Sequence, residues 1–526
     1  MRACLAAEFT DLYVFHLRGN ARTSGERRRK EKGNVFGEGS RAPVAISVFV
    51  KNPEATEHGR IFFREIGDYL DQKQKLAIIR DFGSVKGITG VSGWERILPD
   101  DQNDWLNQRD VSFDAFIKIG DKKDKSEQAL FSMYSLGVAT GRDVWAYNYS
   151  KSRLAKNIVG LISTYNDERV RVSHLQGKIE DHLTFDAKSI SWTVGLKRDA
   201  ARNIPLSSND GRPVKSLYRP FDREWLFFGS RLNERTGQMS QVFDDGDANN
   251  LVIGLPGPGF RGAFSTLMTD RVPALHAADR DGAQYFPLYL YDQQDEEPGG
   301  LFEGQSSGLQ RRDAIADAGL AHFRAAYPGE EITKEDIFYY VYGPLHSPDY
   351  RDRYADNLTK ELPRIPCVKT WADFRAFSDA GRRLGDLHVN YETVEPYPVT
   401  YKQGTPALWK LDDPKAFYRV TRMKFGGKRG DTDKTTVIYN ANITMTDVPL
   451  EAYDYVVNGK PALEWVMERQ VVKTDKASGI VNDANDFANE TMGNPAYPLE
   501  LFQRVITVSL ETMKIVNALP ALEIPT

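Results

Sequence analysis

Arg18-Gly19-Asn20-Ala21-Arg22-Thr23-Ser24-Gly25, a basic run, Gly33-Asn34-Val35-Phe36-Gly37 and Val44-Ala45-Ile46-Ser47-Val48-Phe49-Val50-Lys51-Asn52-Pro53 follow one another between residues 18 and 53. This stretch decides the fold class. Just ahead of it, Leu12-Tyr13-Val14-Phe15-His16-Leu17 is a short apolar run of β-branched and aromatic residues closed by a turn-forming Arg-Gly-Asn, which predicts a buried strand. Residues 45–50 predict a second buried strand. The segment between them is too rich in Gly, Arg and Lys to be core. Two strands joined by such a loop fit the edge of an α/β sheet, where loops of this kind hold ligands.

Working outward, residues 61–80 place apolar and charged residues at helical spacing and predict a covering helix, with Tyr69, Leu70, Leu76, Ile78 and Ile79 on its buried face. Residues 83–93 are punctuated by glycine, and residues 94–116, rich in Trp, Asp and Asn, have the composition of a connector. The charged break at 118–125 sets the expected boundary near residue 125, dividing the chain into 1–125 and 126–526. Beyond it the pattern is one of short strands, aromatic-rich turns and helices over 307–326, 348–362 and 371–388. No internal repeat is visible.

The chain has 526 residues, 41% of them hydrophobic, enough for a large core in two to four lobes. Its net charge of −4 lacks the basic excess of small nucleic-acid-binding domains, so any such affinity must come from local patches. Two cysteines, Cys4 and Cys367, exclude a multi-disulfide framework and a cysteine-based zinc site, and they point to a reducing compartment. No apolar run approaches the roughly 20 residues of a membrane helix, and the first ten residues do not form a secretory signal. The expected location is cytoplasmic.

The ordered stretches Gly137-Val138-Ala139-Thr140-Gly141-Arg142-Asp143, Tyr218-Arg219-Pro220-Phe221-Asp222, Phe286-Pro287-Leu288-Tyr289-Leu290-Tyr291 and Tyr342-Gly343-Pro344-Leu345-His346-Ser347-Pro348-Asp349-Tyr350-Arg351 carry a resemblance. It continues through Leu362-Pro363-Arg364-Ile365-Pro366, Met423-Lys424-Phe425 and Val457-Asn458-Gly459-Lys460-Pro461-Ala462-Leu463-Glu464-Trp465 to Ser478-Gly479-Ile480-Val481-Asn482-Asp483. The whole sequence resembles the C-terminal part of Type ISP single-chain restriction-modification enzymes, and its first 53 residues resemble the last strands of γ-class adenine-N6 DNA methyltransferases. The fold this implies is α/β: the remnant of a Rossmann-like methyltransferase sheet, followed by a larger mixed α+β target recognition domain.

The resemblance implies several roles. Phe36 stands where the family stacks an aromatic ring on the flipped adenine, because an extruded base must regain the stacking it has lost; core packing is the alternative that its spacing leaves open. Arg27, Arg28, Arg29 and Lys30 are expected to neutralise phosphates beside that pocket, or else to form a solvated charge run. Lys369, Lys424, Lys428 and Arg429 are further phosphate candidates. In Lys424-Phe425-Gly426-Gly427-Lys428-Arg429-Gly430 the glycines admit close backbone approach, and a plain hairpin with solvated charges remains the alternative. The implied partner is double-stranded DNA, together with an upstream or separate methyltransferase, helicase and nuclease portion. The implied donor is S-adenosylmethionine in the complete enzyme. None is expected to bind this chain, which has no phosphate-cradling Gly-x-x-x-x-Gly-Lys and no Asn-Pro-Pro-Tyr clamp.

Three local patterns are set aside. Asn494-Pro495-Ala496-Tyr497 lacks the second proline of the clamp; residues 254–259 hold prolines that remove the donors a phosphate loop needs and so predict a turn; and the glycines at 37 and 39 precede a strand rather than join strand to helix. His346 is expected to orient backbone groups, and His388 to complement a helix dipole as a partly cationic imidazole, with no metal site. Arg219 and Asp222 are expected to form a local ion pair. Two alternatives stay open: a specificity subunit completing a methyltransferase in trans, and a truncated, non-catalytic DNA-binding fragment with an exposed sheet edge.

Overall fold

A computed structural model describes residues 1–21, 25–122, 128–243, 249–292, 310–404, 411–428 and 430–525, with backbone alone for 25–27 and 292. The chain separates into two units: Met1–Asp114 with Tyr354–Lys360, and Ala115–Arg353 with Glu361–Thr526. The expected boundary near residue 125 lies outside the described residues.

In the first unit, α1 (Arg2–Glu8) leads into β1 (Asp11–His16), α2 (Gly25–Glu31), β2 (Ala45–Val50), β3 (Arg60–Glu65), α3 (Gln72–Phe82), α4 (Val85–Gly90) and β4 (Glu95–Ile97). The sheet order is β2-β1-β3-β4. β2 runs antiparallel to β1 with Asp11 opposite Val50, whereas β3 runs parallel to β1 with Asp11 opposite Arg60. Alternation along the strands sends residues to opposite faces. Leu12, Ile61 and Ile97 pack under Leu5, Phe9 and Trp105 on one face; Phe15, Leu17 and Ile66 pack under Ile78, Ile79, Phe82 and Ile88 on the other. α3 starts at a capping box between Asp71 and Gln74 and stops at Gly83, whose φ of 62° places it in the left-handed region. The segment 354–360 belongs to this unit through Lys360, whose Nζ lies 2.7 Å from Asp104 Oδ2, and Asn357, whose Oδ1 accepts from Asp110 N at 2.9 Å.

Several expectations are corrected here. β2 is a strand, but every one of its residues is exposed, because it forms the sheet edge. The helix expected over 61–80 is a strand followed by a helix: β3 takes 60–65, Tyr69 turns the chain at φ 60°, and Tyr69 and Leu76 are exposed rather than buried. The glycine-punctuated stretch 83–93 holds α4, and the connector expected over 94–116 holds β4. The basic run is helical.

In the second unit, one four-stranded sheet has the order Leu267–Thr269, Val252–Pro256, Ala283–Pro287, Ser135–Leu136; a second has Val272–Pro273, Arg212–Arg219, Asp222–Phe228, Tyr147–Asn148. The helix Lys151–Val172 lays Leu154, Ile158, Leu161 and Tyr165 against Trp145, Leu196 and Phe227. The helices Lys334–Tyr342 and Trp371–Val389 cross so closely that a Cβ at Gly381 would lie 1.9 Å from Tyr339 O. A third sheet orders Thr400–Tyr401, Thr444–Thr446, Asp431–Ile438 and Lys424–Lys428. The helix expected at 371–388 is present as Trp371–Val389. That at 307–326 is shorter, Asp317–Ala326 after a strand at Gln310–Asp313, with 307–309 outside the described residues. That at 348–362 is two helices, Pro348–Arg353 and Ala355–Leu358, because the second belongs to the other unit. Gly254 is in a buried strand, and only residues 257–259 turn, with Gly259 at φ 85°. Among the described residues no helix is long and apolar enough to cross a membrane.

Candidate functional site

Phe36 is 67% exposed, which removes core packing as its role. Its loop is nonetheless fixed. The buried Asn34 donates from Nδ2 to Gly19 O at 3.1 Å and Ala42 O at 2.8 Å, while its Oδ1 accepts from Phe36 N at 2.9 Å. Gln72 Nε2 donates to Val35 O at 3.0 Å, and a Cβ at Gly33 would sit 2.5 Å from Gln72 N, so the loop lies directly on the start of α3. Arg18, with φ 55°, reaches Glu65 at 2.7 Å and Asp68 at 2.5 Å. Burial raises the Glu65 carboxyl, but the Arg18 hydrogen bond and charge outweigh it and hold the group below the usual carboxylate range.

The post under this loop is Lys75, a fully buried lysine whose Nζ donates to Leu17 O at 2.9 Å, Glu31 O at 3.0 Å and Gly33 O at 2.7 Å. Burial lowers the ammonium's pKa, and Glu31 opposes that shift. Three carbonyls from both ends of the loop converge on one side chain, which satisfies all three ammonium donors. Sequence reasoning missed Lys75. The signal was its position three, four and seven residues before Ile78, Ile79 and Phe82, on the apolar stripe of α3.

Of the basic run, Arg28 donates from NH1 to Lys32 O at 2.5 Å, Lys30 faces Asp68 at 3.7 Å, and Arg29 is exposed; the Arg27 side chain lies outside the described residues. The end of α2 is tied to the turn after β1 by Asn20 N, which donates to Glu31 Oε2 at 2.8 Å. Phe36, Arg28, Arg29 and Lys30 thus share one anchored loop.

In the second unit, Lys424 and Lys428 are exposed on a hairpin whose register shifts between Phe425 and Gly426, which is the signature of a bulge. Gly427 has φ 85°, and a Cβ there would lie 2.2 Å from Asp431 O, so only glycine fits. Phe425 packs against Tyr453, and Lys434 lies over both rings. Arg429 lies outside the described residues. Lys369 is in the loop ahead of the Trp371–Val389 helix, 3.7 Å from Glu523.

The expected pair between Arg219 and Asp222 is not formed. Arg219 faces Asp143 at 4.0 Å, and Asp222 is buried, with Oδ1 2.6 Å from the Tyr149 hydroxyl. His346 does orient the backbone, through Nδ1 to Tyr342 O at 2.8 Å. His388 is not cationic: it is buried between the Tyr342 hydroxyl at 2.6 Å and Thr512 Oγ1 at 2.9 Å, and burial, aided by Arg351, pushes it down to about 3. Among the described residues no group of three or more His, Cys, Asp or Glu could hold a metal.

The family model of the Type ISP C-terminal specificity domain matches residues 129–501. No curated protein matches the chain. Among solved structures, 100% of the chain is similar to a nuclease-deletion mutant of the Type ISP restriction-modification enzyme LlaGI in complex with a DNA substrate mimic, at 36% identity and TM-score 0.81. The ATP-dependent Type ISP restriction-modification enzyme LlaBIII bound to DNA is similar over 100% of the chain at 33% identity and TM-score 0.83, and the DrdV–DNA complex over 99% at 31% and 0.78. The chain spans 38%, 32% and 48% of the length of these three.

Proposed function

The chain belongs to the Type ISP C-terminal specificity-domain family, and on that premise we propose that it is the part of a restriction-modification enzyme that recognises a sequence in double-stranded DNA. The observation that carries this reading is the full-length similarity to enzymes solved on DNA at identities above 30%. The exposed cations of the Lys424–Lys428 hairpin, with Arg429 and Lys369, would contact phosphates, which give affinity and register, while loops between the shared stretches would read bases.

The first unit, in this proposal, is the end of an adenine-N6 methyltransferase catalytic domain. Two observations support it. Phe36 is displayed to solvent on a loop pinned by Asn34 and Lys75, which suits a ring that must meet a flipped base without rearrangement. β2 exposes Ile46, Val48, Phe49 and Val50 at a sheet edge, which suits a sheet continued by further strands. S-adenosylmethionine would bind outside this chain, and the extruded adenine's amine would be the acceptor. Arg27, Arg28, Arg29 and Lys30 would hold the flanking phosphates.

The test is selection of the purified chain on randomised duplex DNA at several salt concentrations. Enrichment of one short sequence containing an adenine is expected. Uniform binding that vanishes with salt would overturn the recognition role.

A further inference from the structure

Three of the stretches that identify the family, each remote from the others in sequence, meet around a cavity of about 250 Å³ in the second unit. Asp143 comes from the first, Tyr218 from the second, and Ile480 and Asn482 from the third. Tyr147 and Tyr149 complete an aromatic lining, with the Tyr147 and Tyr218 rings 4.6 Å apart. Four carboxyl groups, Asp143, Glu224, Glu468 and Asp475, line the cavity against two cations, Arg469 and Lys473.

Three of those carboxyls are engaged. Asp143 accepts from Thr140 and Tyr218, Glu468 from Lys460 and Arg469, and Asp475 from Ser478. Glu224 is different. It is 2% exposed, its Oε2 accepts from Asn482 Nδ2 at 2.8 Å, and its Oε1 has no hydrogen-bond partner among the described residues. Asn482 is itself fixed, with Oδ1 accepting from Tyr149 N at 2.8 Å, so the Glu224 carboxyl is held in place rather than free to swing away. Two residues earlier on the same strand, Asp222 keeps one oxygen, Oδ2, fully buried and unpartnered.

A buried carboxylate that no cation contacts directly is costly and favours its protonated form. Burial, with the Asp222 carboxyl beside it, raises Glu224 above the usual carboxylate range, against the opposing pull of Asn482, Arg469 and Arg219. A proton is the smallest cation that serves the site. Aromatic walls around a carboxylate favour an organic cation over a metal ion, which would need several oxygen ligands.

We propose that this cavity binds a small organic ammonium ion, its NH₃⁺ seated on Glu224 Oε1 and its carbon chain against Tyr147, Tyr149 and Tyr218. Binding replaces the Glu224 proton, which leaves to solvent, so one proton is released per ammonium bound. The groups facing Glu224 are Asp222, Tyr149, Tyr147, Tyr218, Arg469 and Arg219, with Asp143, Glu468, Lys473 and Asp475 along the lining; burial raises Asp222 as well, so the two carboxyls titrate together. This site does not depend on the DNA reading.

The experiment is calorimetric titration of the full chain with putrescine, and separately with an acetyl-lysine-methylamide bearing a free ε-amine, at pH 6 and pH 8 in two buffers of different ionisation enthalpy. We expect saturable binding, about one proton released at pH 6, and affinity rising by up to about tenfold per pH unit toward 8. 1,4-Butanediol, uncharged and of the same length, should not bind. Glu224→Gln should weaken binding at least tenfold and remove its pH dependence. Val144→Trp, at a 39% exposed position on the lining and outside the buried network, should block entry without disturbing the fold. Tighter binding of putrescine would identify a free polyamine as the occupant, and tighter binding of the lysine amide a protein side chain. No binding of either amine at 10 mM, or equal binding by wild type and both variants, would overturn the proposal.

Discussion

Replacing Lys75 with methionine tests whether one buried ammonium holds the loop that carries Phe36. The side chain keeps an unbranched stem, one atom shorter, but three donors vanish and Leu17 O, Glu31 O and Gly33 O lose their partner. Hydrogen bonds to a charged group contribute about 1.5–3 kcal/mol each, a gross loss of roughly 4–9 kcal/mol. Relief of the ammonium's desolvation and entry of water to the carbonyls offset part of it, leaving about 3 kcal/mol, at the low end of what loss of one buried charged partner costs. At about 1.4 kcal/mol per decade, the loop's opening equilibrium should shift by roughly a hundredfold. Amide hydrogen exchange reads this directly. The amides of Asn20, Lys32, Gly33 and Phe36, bonded respectively to Glu31, Arg28, Leu70 and Asn34, should exchange about a hundred times faster in the variant. Those of Asp222–Phe228, in the other unit, should not change. Exchange within threefold of wild type at the four loop amides would show that the loop is held by something other than Lys75.

Phe36→Ala removes an exposed ring, so thermal unfolding should shift by less than the equivalent of about 0.5 kcal/mol; a larger loss would mean the ring is packed. Gly381→Ala forces a methyl group against Tyr339 O at the helix crossing and should destabilise by about 1–3 kcal/mol or more in denaturant titrations, whereas Gly404→Ala, with open space around it but φ 85°, costs only backbone strain. Burial, with Asp222 beside it, raises the Glu224 carboxyl above the usual carboxylate range, so the folded chain keeps a proton that the unfolded chain releases. Stability should therefore fall as pH rises above the free carboxyl's range, by up to about 1.4 kcal/mol per unit, and Glu224→Gln should flatten that slope in urea midpoints. A wild-type slope equal to the variant's refutes the assignment. Lys424→Ala with Lys428→Ala should reduce the slope of log binding constant against log salt by about 1.8 if both touch phosphate, and leave it unchanged if the hairpin is merely solvated.

The strands at Asp11–His16 and Ala45–Val50 were legible as short runs of β-branched and aromatic residues, and the helix at Trp371–Val389 through its helical spacing. Arg60–Glu65 was not: RIFFRE has charged ends and an apolar centre, and six residues are too few to separate a strand's period from a helix's once helical spacing follows directly. The apolar content of β2 suggested burial, yet a run that is apolar throughout looks the same in sequence whether its neighbours are present or the strand stands at an edge. For His388, position at a helix end suggested a charge that complements the dipole; the packing of Tyr342, Tyr455 and Thr512 around it removes the water that charge would need.

By itself the sequence determined the local period of its longer elements, the family resemblance through the order of its matching stretches, and the candidate cations, because these depend only on residue identity and spacing. Tertiary structure alone decided what each side chain is worth. Lys75 became a clamp when three carbonyls from distant positions met it, Phe36 became a displayed ring, and Glu224 became a carboxyl that favours its proton when Asn482, more than two hundred residues away, fixed one of its oxygens and burial of the side chain disfavoured its charge. Desolvation and long-range contact set those energies, and neither is written in any one stretch of chain.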